Sequence, residues 1–483
     1  MSSRIPPPIP ADTSLELSAE EMEGLVRLAV ERVVEHVESL PGQRAADTEG
    51  AVELSRSLIE SEPPERGVPA AELLDLLFSQ AIPKSFNTAS PGYLAYIPGG
   101  GLFPSAVADF VAAATNRYVG VFAASPALVQ LETNVIRWFA SLAGFPRTAG
   151  GFLASGGSLA SFSAIVTARR DRLPEDFQRG VLYVSDQAHH CIAKAAMLAG
   201  FSPRSLREIE SDDRYRLRLD QLEEAVDEDR RKGLSPFLVV ASAGTVNTGA
   251  VDDLAALAAF CEREQLWLHV DAAYGGFFLL TERGRQAMAG IDRADSIVLD
   301  PHKGLFLPYG TGCLLVRDAA RLRRAHSVQA HYLPGMQSDP DLVDFCELSP
   351  ELSRGFRGLR VWLPLKLHGL APFRRNLDEK LDLARWAARE LRRIPEMEIS
   401  TEPVLSLFTF RLAPRFAEGP ALDALNRRLL DAVNARGRVH LTGTTTKGAF
   451  YLRICVLSFR THLDRMEAAI GDIRGEAEKA LSR

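Results

Sequence analysis

The sequence predicts an α/β protein. A large domain on a mostly parallel sheet should follow N-terminal helices and precede a smaller α+β C-terminal domain. Three observations carry this expectation. Short apolar runs at 181–184, 237–241, 266–270, 296–299 and 312–316 alternate with helical stretches. Such runs lack the in/out alternation of a sheet with one wet face, so helices should cover both sides. The chain has 483 residues, too many for one small core, and after about residue 365 its texture shifts to an alternating strand among charged helices. The expected division is 1–95, 96–365 and 366–483.

Taken in order, Ser18 and Glu21 form a capping-box signature, after which Met22, Leu25, Val26, Ala29, Val33 and Val37 recur on one helical face. Helices near 48–60 and 69–80 do not promise to bury that face. A terminal amphipathic helix of this kind suits packing across a dimer. Residues 91–110 are rich in aromatics and glycines and poor in charge. That composition suits a pocket lining and a buried connection equally. Helices are expected at 125–143, 156–170, 190–200 and 252–264, then at 372–393, 420–435 and 463–481, with small-domain strands at 406–410 and 451–457.

Composition narrows the function. Net charge is −6 and no basic block is present, which argues against nucleic acid and anionic membranes as partners. No stretch approaches the roughly 18 apolar residues of a membrane span, and the first residues lack an apolar signal core. Five scattered cysteines without C-x-x-C spacing read as free thiols, so the cytoplasm is expected. No metal site is expected either. His189, His190 and Cys191 are adjacent, and adjacent side chains point apart instead of sharing one tetrahedral ion.

Four strand ends carry residues with chemical potential. Lys303 follows the 296–299 run within Asp300-Pro301-His302-Lys303-Gly304. A lysine held there can be desolvated, its pKa lowered, and its neutral amine made available to attack a carbonyl, as in a Schiff base with pyridoxal phosphate (PLP). The rival reading is an ordinary loop lysine. Asp271 ends the strand bearing Trp267 and His269 on the same face, where a carboxylate can pair with a protonated ring nitrogen or simply cap a helix. Ala273 leaves room for a flat ring beside it. Gly156-Gly157-Ser158 opens a helix, and a glycine turn at a helix N-terminus admits an anion closely. His189 follows the 181–184 run, and the loop with Thr245 adds hydroxyls to the same edge.

The joint order of these strings resembles the group II PLP-dependent amino-acid decarboxylases, which include aromatic-L-amino-acid, histidine and glutamate decarboxylases. Asp186-Gln187-Ala188-His189, His269-Val270-Asp271-Ala272-Ala273-Tyr274 and Pro301-His302-Lys303 carry the likeness, which extends from about residue 20 to about 475. The resemblance implies PLP fold type I, the aspartate-aminotransferase-like architecture, in a homodimer with the active site at the subunit interface. It implies Lys303 as the lysine that holds PLP, Asp271 at the pyridinium nitrogen, Ala273 beneath the ring and His189 stacked above it. Gly157 and Ser158 match the phosphate turn, with Thr245 close by and Asp300 and His302 flanking the lysine. Many relatives carry Asn in place of Asp300, and a carboxylate there would repel a phosphate unless it turns away. Trp commonly follows the lysine, so Gly304 should open space or loosen the turn.

The resemblance further implies Tyr332, in a mobile loop, as the proton donor to the substrate carbon. It implies Tyr96, Ile97 and Pro98 as substrate pocket, Tyr118 added from the other subunit, and Arg357 near the cofactor. Arg117 can meet a carboxylate or serve an interface. The expected reaction is decarboxylation of an aromatic or bulky L-amino acid to its amine and CO2. Two alternatives stand beside it: a decarboxylating aldehyde synthase, whose relatives change the loop tyrosine to Phe, and a catalytically silent PLP-binding homologue.

Overall fold

The computed structural model describes residues 15–328, 337, 339 and 341–482. Seven strands build the large sheet: β1 (Gly150–Ala154), β2 (Gly180–Ser185), β3 (Leu206–Ile209), β4 (Ser235–Ser242), β5 (Trp267–Asp271), β6 (Ser296–Leu299) and β7 (Gly312–Val316). Their spatial order is β1-β7-β6-β5-β4-β2-β3. Every pair is parallel except those made by β7, which runs against both β6 and β1. Chain length explains the exception. Residues 300–311 hold only a one-turn helix, Pro301–Gly304, too short for the crossover a parallel pair requires. The chain therefore turns straight back, and Lys303 sits in that turn.

Because the other strands share one direction, their carboxyl ends gather along one sheet edge, where ligands of such sheets bind. The expected strands all appear within a few residues. β1 and β3 are additional, and both lack a strand-like apolar run: β1 opens on two glycines and β3 is half polar. The glycines have a reason. A Cβ on Gly151 would lie 2.0 Å from the Leu314 carbonyl oxygen of β7.

The small domain carries β8 (Met397–Ile399), β9 (Leu407–Leu412), β10 (Thr442–Thr446) and β11 (Ala449–Cys455), antiparallel in the order β10-β11-β9-β8. Helices Leu370–Leu391, Gly419–Ala435 and Leu463–Leu481 contribute to its separate core. The 365/366 division falls inside a continuous helix, Arg357–His368. The 95/96 division also meets continuous structure. Leu94 donates to His440 O and accepts from Cys455 N, while His440 N donates to Gly92 O. Leu94 is buried in the small domain's core, so this strap belongs physically with residues more than 300 positions later.

At the N-terminus, helix Ala19–Ser39 has its capping box: Ser18 Oγ accepts from Glu21 N and Glu21 Oε2 from Ser18 N. None of its residues is buried, and Met22, Leu25, Val26, Val30 and Val34 are exposed. Residues 91–110, expected as a pocket lining or a buried connection, run into a further helix, Phe103–Thr115, which exposes Phe103, Val107, Phe110 and Val111. No helix among the described residues is long and apolar enough to cross a membrane.

Candidate active site

The strand ends enclose a cavity of about 370 Å³ lined by Lys303, Asp300, His302, Asp271, Ala273, His189, Gly156, Gly157, Ser158 and Thr245, together with Tyr96 and Ile97. A larger, more polar hollow of about 560 Å³ lies among Arg32, His36, Arg44 and Asn87, away from these groups. The smaller cavity holds the converging chemistry.

Lys303 does not behave as the sequence suggests. Its Nζ lies 2.7 Å from Asp300 Oδ2, on the residue that caps the N-terminus of the same short helix. Burial pulls its pKa down, but the charge and hydrogen bond of Asp300, with Asp271 beyond, outweigh that and leave it above the ordinary lysine value. The expected low-pKa amine is therefore replaced by a held ammonium. Asp300 is buried, and its Oδ1 has no hydrogen-bond partner among the described residues. Its carboxylate does not turn away from the glycine turn: a Cβ on Gly157 would sit 3.0 Å from Oδ2 and 3.3 Å from both Oδ1 and Ala273 Cβ. Gly157 keeps this corner open.

His302 is buried, and its Nδ1 donates to Thr311 O at 2.6 Å. Burial pulls its pKa down, so its neutral form leaves Nε2 bare, 3.7 Å from Asp300 Oδ2. His189 is arranged oppositely. Its Nδ1 accepts from Cys191 N at 3.3 Å, which puts the neutral ring's proton on Nε2. Burial also lowers its pKa, against the pull of Asp271. Asp271 Oδ1 accepts from Ala273 N at 3.1 Å, so one oxygen shapes the turn while the residue still lines the cavity. Thr245 Oγ1 is engaged by Thr248 and Ala250 N within its own loop.

Several expected residues stand apart. Pro98 is buried but does not line the cavity, and Arg117 is exposed outside it. Tyr118 donates to Leu352 O, also outside this chain's cavity. Arg357 does not line this chain's cavity. Its guanidinium makes a bidentate pair with Glu351 at 2.7 and 2.9 Å and reaches Leu153 O, so it fastens a loop. Gly304 opens no space, because a Cβ there would lie 2.7 Å from Phe277 Cβ. Tyr332 lies outside the described residues. Conversely, Val246 and Tyr309 line the cavity without having been anticipated. Tyr309 had a visible signal, the glycine-flanked turn Pro308-Tyr309-Gly310 just after the lysine.

A family model described as the pyridoxal-dependent decarboxylase conserved domain matches residues 55–413. The chain belongs to the pyridoxal-dependent decarboxylases. This decarboxylase is 36% identical over 468 residues to an aromatic-L-amino-acid decarboxylase of Bacillus atrophaeus, covering 96% of this chain and 97% of that one. It is 30% identical over 443 residues to a phenylacetaldehyde synthase of Arabidopsis thaliana, covering 88% and 90%. The crystal structure of Oryza sativa TDC with PLP and tryptamine matches with a TM-score of 0.92 at 27% identity, covering 97% and 99%.

The decarboxylase is a PLP-dependent enzyme of fold type I acting on an amino acid, and its residues fit that cofactor. An amine, a strand-end carboxylate, a small flat floor at Ala273 and a glycine turn at the N-terminus of helix Gly157–Arg172 face one cavity.

Proposed function

We propose that this decarboxylase converts an aromatic L-amino acid to its amine and CO2. The observation that carries the reading is the cavity lining beyond the lysine: Tyr96, Ile97, Val246 and Tyr309, with Lys303 the only lysine or arginine among the described lining residues. An acidic side chain would find no second cation there, whereas a flat apolar ring buries well. The names of the Bacillus and Oryza relatives point to the same substrate class.

Bound PLP supplies an electron sink for the pair released when the Cα–carboxylate bond breaks. Lys303 would hold the cofactor through Nζ. The ammonium must first shed a proton, and Asp300 Oδ2 at 2.7 Å is a ready acceptor. Asp271 would keep a proton on the ring nitrogen, His189 would present its uncharged ring, and the N–H groups at Gly157 and Ser158 would meet the phosphate. Tyr332, by family resemblance, would return a proton to the substrate carbon. Aldehyde release is the second reading, favoured by the Arabidopsis relative.

We propose a homodimer, with helices Ala19–Ser39 and Phe103–Thr115 supplying apolar faces for it. Tyr118 would then serve the partner's cavity. A cytoplasmic location accords with five free cysteines, four of them buried.

The test is the PLP-loaded protein with L-tryptophan, L-tyrosine, L-phenylalanine and L-glutamate, scored for CO2, amine and aldehyde. Amine from the aromatic acids alone is expected. No CO2 from any aromatic acid sinks the proposal, and aldehyde with peroxide shifts it to the second reading. Light scattering of the same sample should return a dimer mass, and a monomer would remove the interface proposal.

A further inference from the structure

Arg453 is a charged residue inside β11 with 3% exposure and, among the described residues, no carboxylate among its hydrogen-bond partners. Its guanidinium donates to three neutral oxygens: Val246 O at 2.7 Å, Tyr96 O at 2.7 Å and Thr442 Oγ1 at 2.9 Å. Burying a cation without a counter-ion is costly, so the arrangement needs a geometric reason. The acceptors provide one. Tyr96 belongs to the strap, residues 91–101, and Val246 to the loop after β4, and both line the cavity. Tyr96 also has φ of +48°, a left-handed conformation that a tyrosine adopts only when held.

The strap is tied to the small domain elsewhere as well. Thr461 Oγ1 donates to Pro91 O at 2.8 Å, and Arg460 donates to Gly100 O. This part of the cavity lining is therefore tied to the small sheet, and one planar fork joins it to the loop that carries Val246.

We infer that Arg453 is a positioning residue for substrate selection: it fixes the separation of Tyr96 and Val246, and so the width of the slot for the aromatic side chain. The inference rests on the aromatic-substrate reading only for the identity of the side chain. A planar fork with fixed donors suits the task, and an ammonium on a flexible stem does not.

The experiment uses PLP-loaded protein carrying Arg453→Gln, Arg453→Lys or Thr442→Val, the last removing one anchor of the fork. In Arg453→Gln, KM for aromatic amino acids should rise about tenfold and the preference among L-tryptophan, L-tyrosine and L-phenylalanine should change. Cofactor affinity and kcat should stay within about threefold. Arg453→Lys should recover part of the loss, and Thr442→Val should shift KM in the same direction by less. Adding Arg453→Gln to Tyr96→Ala should do little more, because the first acts through the second. Amide hydrogen exchange gives a readout independent of substrate. Residues 92–101 should exchange faster in Arg453→Gln, while 154–160 should not. Unchanged exchange at 92–101 overturns the inference, as does an equal loss of kcat on every substrate with KM unchanged. Wild-type protein inactive on all aromatic acids sinks the substrate reading instead, and the exchange result still decides the role of Arg453.

Discussion

Two lysines in this enzyme pair with a carboxylate in contrasting settings: Lys303 lines the cavity, and Lys380 is fully buried. Lys303 Nζ lies 2.7 Å from Asp300, and its side chain keeps 23% exposure. Lys380 Nζ lies 2.8 Å from Glu379 and 2.6 Å from Thr461 O, with no exposure. Burial lowers the pKa of Lys380 despite Glu379, whereas Asp300 and Asp271 overcome burial at Lys303 and raise it. A depressed pKa thus marks the structural lysine, not the one at the site. What distinguishes Lys303 is access together with a nearby proton acceptor; Lys380, pinned by a carbonyl, joins a helix to the turn before the last helix.

The largest expected effect breaks that comparison directly. Lys303→Ala should abolish the borohydride-reducible PLP adduct and cut CO2 release on the order of 10⁴-fold or more. Lys380→Met should leave turnover within about twofold while lowering urea stability by about 1–2 kcal/mol, because Thr461 O loses its donor. An adduct that survives at another lysine would reverse the assignment. Asp271→Asn comes next, with kcat expected to fall on the order of 10²–10³-fold and PLP still bound. Unchanged kcat would leave Asp271 with its turn alone.

Asp300→Asn sharpens the electrostatic half. With the carboxylate gone, burial acts on Lys303 unopposed by its nearest anion, so its acylation midpoint in a competitive-labelling mass-spectrometry titration of PLP-free protein should move to lower pH. Lys380, read in the same digest, should not move. A Lys303 midpoint that stays put would show that Asp300 does not hold its proton. The smallest effect concerns His269, fully buried in β5, whose pKa is pulled down to about 4 by burial. A folded pKa below the unfolded value of about 6.5 gives stability that is present above pH 6.5 and lost as pH falls toward 4. On that shift, about 2 kcal/mol should be gone by pH 5 in urea melts. His269→Asn should flatten that part of the profile, and an equally steep profile in the variant would assign the loss to other groups.

Much of the fold was legible because it is local. Apolar runs give β2, β4, β5, β6 and β7, and the Ser18–Glu21 capping box marks the first helix within a residue. β10 escaped because Thr-Gly-Thr-Thr-Thr has no apolar alternation; its pairing with β11 supplies what its composition lacks. At the site, Lys303, Asp271, His189 and Gly157 were legible as strand-end residues, since strand direction alone sends them to one edge. The Arg357–Glu351 pair was not, because its geometry is set only when the loop folds. Gly304 escaped likewise: the space it leaves is taken by Phe277, from a different turn.

By itself, the sequence determined the apolar strands, the sheet edge and the residue types brought to it, since periodicity and strand ends are properties of short windows. The tertiary structure alone decided the charge of Lys303, the attachment of the Pro91–Gly101 strap to the small domain, and the hydrogen bonds by which Arg453 joins Tyr96 to Val246. Those depend on distances between groups far apart in the chain or on the dielectric around them, and neither is written in any short stretch of residues.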